Sequence, residues 1–313
     1  MLLSLKTTQL IRTGIAATVL ALGLAACVST DRFVEPIERF SMATDAATTA
    51  LKAIDESTTE RLTAMAIAEA TQNPGRLKGE DCKTTGTRCL LVVSLADTTT
   101  KIQLNATSML PNSTRAMSSI QSYGRALADI AAADETAEVR AGIEKSADAV
   151  TSIASVFGLS LGAALNPLKE LAVAGFQQYQ NSIKLDALQR ATKAADPFIK
   201  ETMARLAVEA RFARTGNLAR LESDYNKASA SVVRDATESN IKTLIDAASK
   251  LDAALIVNQA NVFTKVAEAH AGLTKDLTDP NASFADVLAS LDVVLTEVGH
   301  IQDFANAVTA DNR

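Results

Sequence analysis

From Asp31 to Asn73, apolar or small side chains recur at spacings of three and four: Ile37, Phe40, Thr44, Ala47, Leu51, Ile54, Thr58, Leu62 and Met65. That period lines one face of an α-helix and cannot line one face of a strand, where side chains alternate with a period of two. At about 1.5 Å per residue, a helix of this span is a rod of about 60 Å. Its seam mixes small and polar residues with Leu and Ile, which suits a bundle formed within the chain better than a dimeric coiled coil. Asn73-Pro74-Gly75 is the expected stop.

The same period continues further along. Thr114 to Phe157 reads as a second long helix through Met117, Ile120, Gly124, Leu127, Ala131, Val139, Ile143, Ala147, Val150 and Ile153, with Ser113 or Thr114 as its N-cap. Leu168 to Thr215 reads as a third, kinked or briefly broken at Pro197 and closed by a turn at Thr215-Gly216-Asn217. Leu218 to Thr278 is periodic throughout, with a break expected near Ser239-Asn240. After Asp279-Pro280-Asn281, Ser283 is placed to cap a last helix, Phe284 to Val308.

Residues 76–113 differ. Thr84 to Thr87 suggests a short strand, Cys89 to Leu95 is a branched apolar run, and Lys101 to Leu104 alternates polar and apolar as a half-buried strand does, with Ala96 to Thr100 as the turn. Asn105-Ala106-Thr107 and Asn112-Ser113-Thr114 match a glycosylation acceptor by chance. With 13 glycines, six prolines, no tryptophan and 4% aromatic residues, the chain lacks the turn and strand composition of a large sheet. The fold expected is mainly α: an elongated up-and-down bundle of four to six long helices with a small β-hairpin insertion near residues 82–104.

The N-terminus sets the compartment. Lys6 and Arg12 form a positive region, Ile15 to Leu24 is a charge-free apolar run, and Leu24-Ala25-Ala26-Cys27 follows. About ten apolar residues fall short of the roughly 20 that a membrane-spanning helix needs, so this reads as a secretory leader. Leu24-Ala25-Ala26-Cys27 resembles the lipobox of bacterial lipoproteins. That resemblance covers the leader and Cys27 alone. It implies diacylglycerol on the Cys27 thiol, cleavage before Cys27 and acylation, palmitate included, of the new N-terminus; several chains anchor where one binds marginally. Val28, where an aspartate would imply inner-membrane retention, points to the outer membrane facing the periplasm, with surface display as the alternative.

The chain then divides into a cleaved signal peptide, 1–26, a lipidated tether, 27–32, one helical domain, 33–308, carrying the insertion 76–113, and a frayed tail, 309–313. Loss of Lys6 and Arg12 with the leader moves the net charge from −5 to −7, a poor balance for nucleic acid. Cys82 and Cys89 remain as a pair in an oxidising compartment, where a disulfide tying the hairpin is favoured; two cysteines alone lack the further ligands of a zinc site.

Residues 149–168 carry no charge. The plain reading is a buried helix end, a small-residue turn and a helix start at Pro167. The alternative is an apolar bundle tip in contact with a membrane, formed by Val156, Phe157, Gly158, Leu159, Leu161 and Gly162; its hydropathy is similar to that of helical-bundle pore-forming toxins. The only histidines are His270 and His300, both read as surface or boundary residues. Glu297 and His300 form a single Glu-x-x-His, which is half of what a di-metal bundle site needs. Asp129, Asp134, Glu135 and Glu138 read as a solvated acidic face, and Lys184 to Arg220 as a solvated basic one. No hydrolase, phosphate-binding or zinc-protease motif is present. The expectation is a non-enzymatic structural or protein-interaction module, without metal or cofactor, held to a membrane by lipid and meeting an envelope protein. Two alternatives are a membrane-active or pore-forming bundle, and a binder of small apolar ligands between alanine-rich helices.

Overall fold

The computed structural model describes residues 31–80, 89–95, 101–160 and 180–309. These residues form α1 (Asp31–Gln72), a single 3-10 turn (Pro74–Arg76), β1 (Leu77–Glu80), β2 (Leu90–Ser94), β3 (Lys101–Gln103), α2 (Pro111–Ala132), α3 (Thr136–Val156), α4 (Gln180–Arg234), α5 (Glu238–Ile256), α6 (Gln259–Asp276) and α7 (Ala285–Thr309). The protein is mainly α with a small antiparallel sheet.

α1 runs the length its periodicity demands and stops at Asn73-Pro74, where the proline removes a helical donor. The second expected helix is two. The chain reverses at Ala133–Glu135, and α2 and α3 lie antiparallel, joined by a 2.8 Å contact between the Ser119 and Ser152 hydroxyls and a 2.7 Å ion pair from Lys145 to Asp129. The acidic cluster makes this break. The Glu138 carboxylate accepts the Asp134 and Glu135 N–H groups at 2.7 and 3.2 Å, satisfying orphan donors at the start of α3.

Neither Ser113 nor Thr114 caps α2. Pro111 opens it, and Asp55 of α1 accepts the Met109 and Leu110 N–H groups at 2.9 Å each, so the carboxylate beside this N-terminus comes from another helix. Ser113 instead donates its hydroxyl to Glu209.

α4 continues unbroken through Pro197 and through the expected turn at Thr215-Gly216-Asn217. Asn217 is buried and donates to the Ser57 hydroxyl at 3.1 Å. Gly216 is needed for a close approach: the Arg61 guanidinium lies where a Cβ would stand, 2.6 Å from it. Burial, and then the charge of Arg220, lower the pKa of Arg61. The real break comes at Asp235–Thr237, where the Thr237 hydroxyl caps α5 by accepting the Asn240 N–H at 3.3 Å. A second break, at Val257-Asn258, separates α5 from α6.

Among the described residues six helices build the bundle, including the first two-thirds of α4. Its core joins Phe33, Ile37 and Phe40 of α1, Leu127 of α2, Ile143 and Val150 of α3, Leu188 and Leu206 of α4, Phe263 and Leu273 of α6, and Leu291 and Val294 of α7. Alanines 43, 47, 50, 187, 191 and 195 fill the seams and let helix axes approach closely, although each buries little apolar area. One end gathers the starts of α1 and α7 with the end of α6: Arg32 donates to the carbonyls of Asp279 and Pro280, and Gln189 donates to that of Leu277 at 2.8 Å.

Two projections leave the other end. One is the last part of α1 with the sheet, whose order is β1-β2-β3 and whose registers include Leu77↔Val93 and Val93↔Ile102. Its own small core is Ala66, Val93 and Ile102. The β2–β3 pairing matches the expected hairpin; the strand expected at Thr84–Thr87 lies outside the described residues, and β1 stands before it in the chain. Asn105 is a structural residue, donating to the Cys89 carbonyl at 2.7 Å and accepting the Leu91 N–H at 3.3 Å. The second projection is a two-helix arm, residues 218–256, joined to the main core through Leu221 and Ala254, with Ala228 and Ala247 also buried.

Candidate functional site

A buried cluster of titratable side chains lies in the bundle core. Tyr123 of α2 and His270 of α6 are fully buried, and the Tyr123 hydroxyl stands 3.0 Å from His270 Nε2. His270 Nδ1 stands 3.2 Å from Asp196 Oδ1 on α4, immediately before Pro197. The Phe40 ring of α1 packs on both, with centroids 6.5 Å from Tyr123 and 5.5 Å from His270. The chain of bonds therefore ties three helices at one level, and the Phe40 ring packs a fourth against them.

Its electrostatics assign the protons. The bond from His270 lowers the pKa of Asp196, aided by the charge of Lys200 and opposed by partial burial, so Asp196 is the carboxylate and accepts. Burial lowers the pKa of His270 against the opposing pull of Asp196, so the ring is neutral at pH 7. A neutral ring donating from Nδ1 leaves Nε2 as the acceptor, and Tyr123 donates to it. Burial, with Asp196, raises the Tyr123 pKa well above its ordinary value.

Hydroxyl, imidazole and carboxylate in series is the order of a proton relay, yet Tyr123 and His270 have no exposed surface and line none of the clefts described below. The arrangement pins helix register: every polar group in it is satisfied, and removing one leaves another stranded in the core. The surface reading of His270 is corrected here. Lone histidines on periodic helices carry no local sign of burial, and Asp196 lies 74 residues away in sequence. His300 does lie at the surface, with Nδ1 3.9 Å from Glu297 Oε2. Among the described residues no group of His, Cys, Asp or Glu could hold a metal ion.

The expected tip is only half in view. Val150, Ile153 and Ala154 belong to the core, and Leu159 packs against it. α3 then ends in a Schellman motif: Leu159 N–H bonds to the Ala154 carbonyl at 2.8 Å, Gly158 N–H bonds to that of Ser155 at 3.3 Å, and Gly158 takes φ of 64°, which a side chain would resist. Phe157 lies beneath the Arg205 guanidinium, 5.1 Å from ring centroid to carbon, and Val156 is half-buried. Leu161 and Gly162 lie outside the described residues, as do Cys27 and Cys82; Cys89 directly precedes β2. No helix among the described residues is long and apolar enough to cross a membrane.

Among the described residues, two clefts on the bundle surface stand out. One is an open polar groove between α2 and α3; its Ser118, Ser119 and Ser122 hydroxyls donate to carbonyls of their own helix. The other is a partly enclosed cleft of about 40 Å³ between α1, the start of α6 and α7, walled by Ile54, Ile301 and Phe304 and bordered by Glu56, Glu60 and Gln259. Its volume is far below the several hundred Å³ of small-molecule sites. Exposed apolar side chains concentrate on the projecting arm and at its base: Val233 is 84% exposed, Ile245 60% and Ile256 68%. No family model, no curated protein and no solved structure matches the chain.

Proposed function

We propose that this is a lipid-anchored envelope protein that acts without catalysis, as a rigid module docking another protein at its membrane-distal end. Anchorage rests on the resemblance of Leu24-Ala25-Ala26-Cys27 to a lipobox, with the outer membrane facing the periplasm as its site. Only residues 28–30 separate Cys27 from the start of α1, about 10 Å of chain. The end bearing Asp31, Asp279 and Pro280 then faces the membrane, and both projections point away from it.

The observation that carries the docking role is the arm 218–256. It is a two-helix projection with Val233, Ile241 and Ile245 exposed near its tip, apolar surface that a free-standing solvent-facing element has no reason to present. The buried Tyr123–His270–Asp196 chain supports a scaffold role by keeping the two ends in fixed relation. The membrane-active alternative gains no support from residues 149–160, whose apolar groups serve the core and a helix stop. The apolar-ligand alternative gains none from a cleft of about 40 Å³.

The test is a photo-crosslinking residue placed in living cells at Ile245, and at Asp292 as the membrane-proximal comparison. A single dominant protein adduct at Ile245, absent at Asp292 and lost when Cys27→Ala releases the protein from the membrane, is the expected result. Lipid adducts at Ile245, or protein adducts that ignore position and anchorage alike, would refute it.

A further inference from the structure

We infer that the cleft between α1, α6 and α7 is a socket for a lysine side chain of a partner protein; this rests on the docking role assigned above to the distal end. At about 1.5 Å per helical residue, Ile54 and Glu60 stand about 35–45 Å from Asp31, so the cleft opens beside the bases of both projections.

Three features define its occupant. First, Gln259 is 3% exposed and lines the cleft, yet its Oε1 has no hydrogen-bond partner. A buried amide oxygen without a donor is rare in folded proteins and costly to leave unmet. Second, Glu56 and Glu60 lie one helical turn apart on the same face of α1, border the cleft, and form no ion pair with any described residue. Third, Ile54, Ile301 and Phe304 supply apolar walls.

A compact donor carrying positive charge on an apolar stem satisfies all three, and a lysine ammonium is such a group. The start of α6 at Gln259 opposes a cation with about half a positive charge, but two full carboxylate charges outweigh it. An anionic or neutral occupant would leave either the carboxylates or the amide oxygen unanswered.

The probe is the peptide acetyl-Ala-Lys-Ala-amide, with its Nε-acetylated form as the uncharged comparison, titrated into full-length protein in detergent. Methyl resonances of Ile54 and Ile301 report occupancy. The unmodified peptide should shift both methyls saturably, and the acetylated one should bind at least tenfold more weakly. Glu56→Gln with Glu60→Gln should weaken binding about tenfold at low salt, while Asp292→Asn with Asp303→Asn, an equal loss of charge on exposed α7 surface, should leave it unchanged. Gln259→Leu should weaken binding yet raise the melting temperature, an outcome that a purely structural glutamine would not give.

Equal binding of both peptides, indifference to the Glu56/Glu60 pair, or no shift of either methyl with wild-type protein in its folded state overturns the socket. Those results leave the docking role standing if Ile245 still captures its partner. Loss of the Ile245 adduct, with the peptide still binding, would fail the docking role alone.

Discussion

Replacing His270 with glutamine should remove a titration from the folding equilibrium, and the size of the effect follows from the geometry. The glutamine oxygen can stand near Nε2 and keep the bond from Tyr123, but it cannot reproduce the donor to Asp196 or fill the space against Phe40. Loss of one hydrogen bond to a charged acceptor costs about 1.5–3 kcal/mol, and imperfect filling adds about 1 kcal/mol. His270→Gln should therefore be less stable by about 2–4 kcal/mol at pH 7.5.

The pH dependence is the sharper readout. Burial holds the folded His270 below its ordinary value of 6.5, so below that pH the unfolded chain binds a proton that the folded protein refuses. Stability is then fully present above 6.5 and is lost as pH falls from 6.5 toward the folded value, by at most about 1.4 kcal/mol per pH unit. Urea unfolding at pH 7.5, 6.5 and 5.5 should show this loss in wild-type protein, with little of it in His270→Gln. Asp196, whose pKa is depressed, adds its own loss only below its ordinary 3.8, outside that window. Equal slopes in the two proteins between pH 6.5 and 5.5 would show that His270 is not held neutral in the core.

Two further substitutions test the packing. A Cβ at Gly142 would stand 2.5 Å from Ile130 Cγ1 and 3.3 Å from the Ala126 carbonyl, whereas one at Gly299 meets nothing within 4 Å. In calorimetry Gly299→Ala should stabilise by about 0.5–1 kcal/mol through helix propensity, while Gly142→Ala should be net destabilising by about 1 kcal/mol because overpacking exceeds that gain; the reverse order would mean that α2 and α3 are not in the register described. Asp55→Ala removes the charged acceptor of two backbone N–H groups at the start of α2, which keep 3.2 Å bonds to the Thr59 and Ser108 hydroxyls, and should cost about 1–2 kcal/mol. Asp55→Asn, which keeps an acceptor, should recover about half of that in the same unfolding assay.

The elements most legible in the sequence are those governed by local chemistry. Periodicity delivered α1, Asn73-Pro74 delivered its end, Asp279-Pro280 closed α6, and the alternation of Lys101 to Leu104 marked a strand, because each rests on backbone sterics and side-chain facing within a few residues. What the sequence could not show was where periodic segments fold back. The stripe from Met117 to Ile153 stays in phase across the reversal at Ala133–Glu135, since either side of the break faces the same core; only the antiparallel contact of α2 with α3 makes two helices of one stripe.

Thr215-Gly216-Asn217 has the composition of a turn, yet Arg61 from α1 takes the space over Gly216 and Ser57 satisfies Asn217, so helix is retained there. Tyr123, Asp196 and His270 sit on three helices, and Gln259 meets Glu56 and Glu60 across some 200 residues of chain. The sequence by itself therefore determined which segments are helical, which face each buries and, through Leu24 to Cys27, the compartment expected of the chain. Tertiary structure decided the breaks, the buried polar pin and the distal cleft, because those depend on side chains that become neighbours only when distant helices pack.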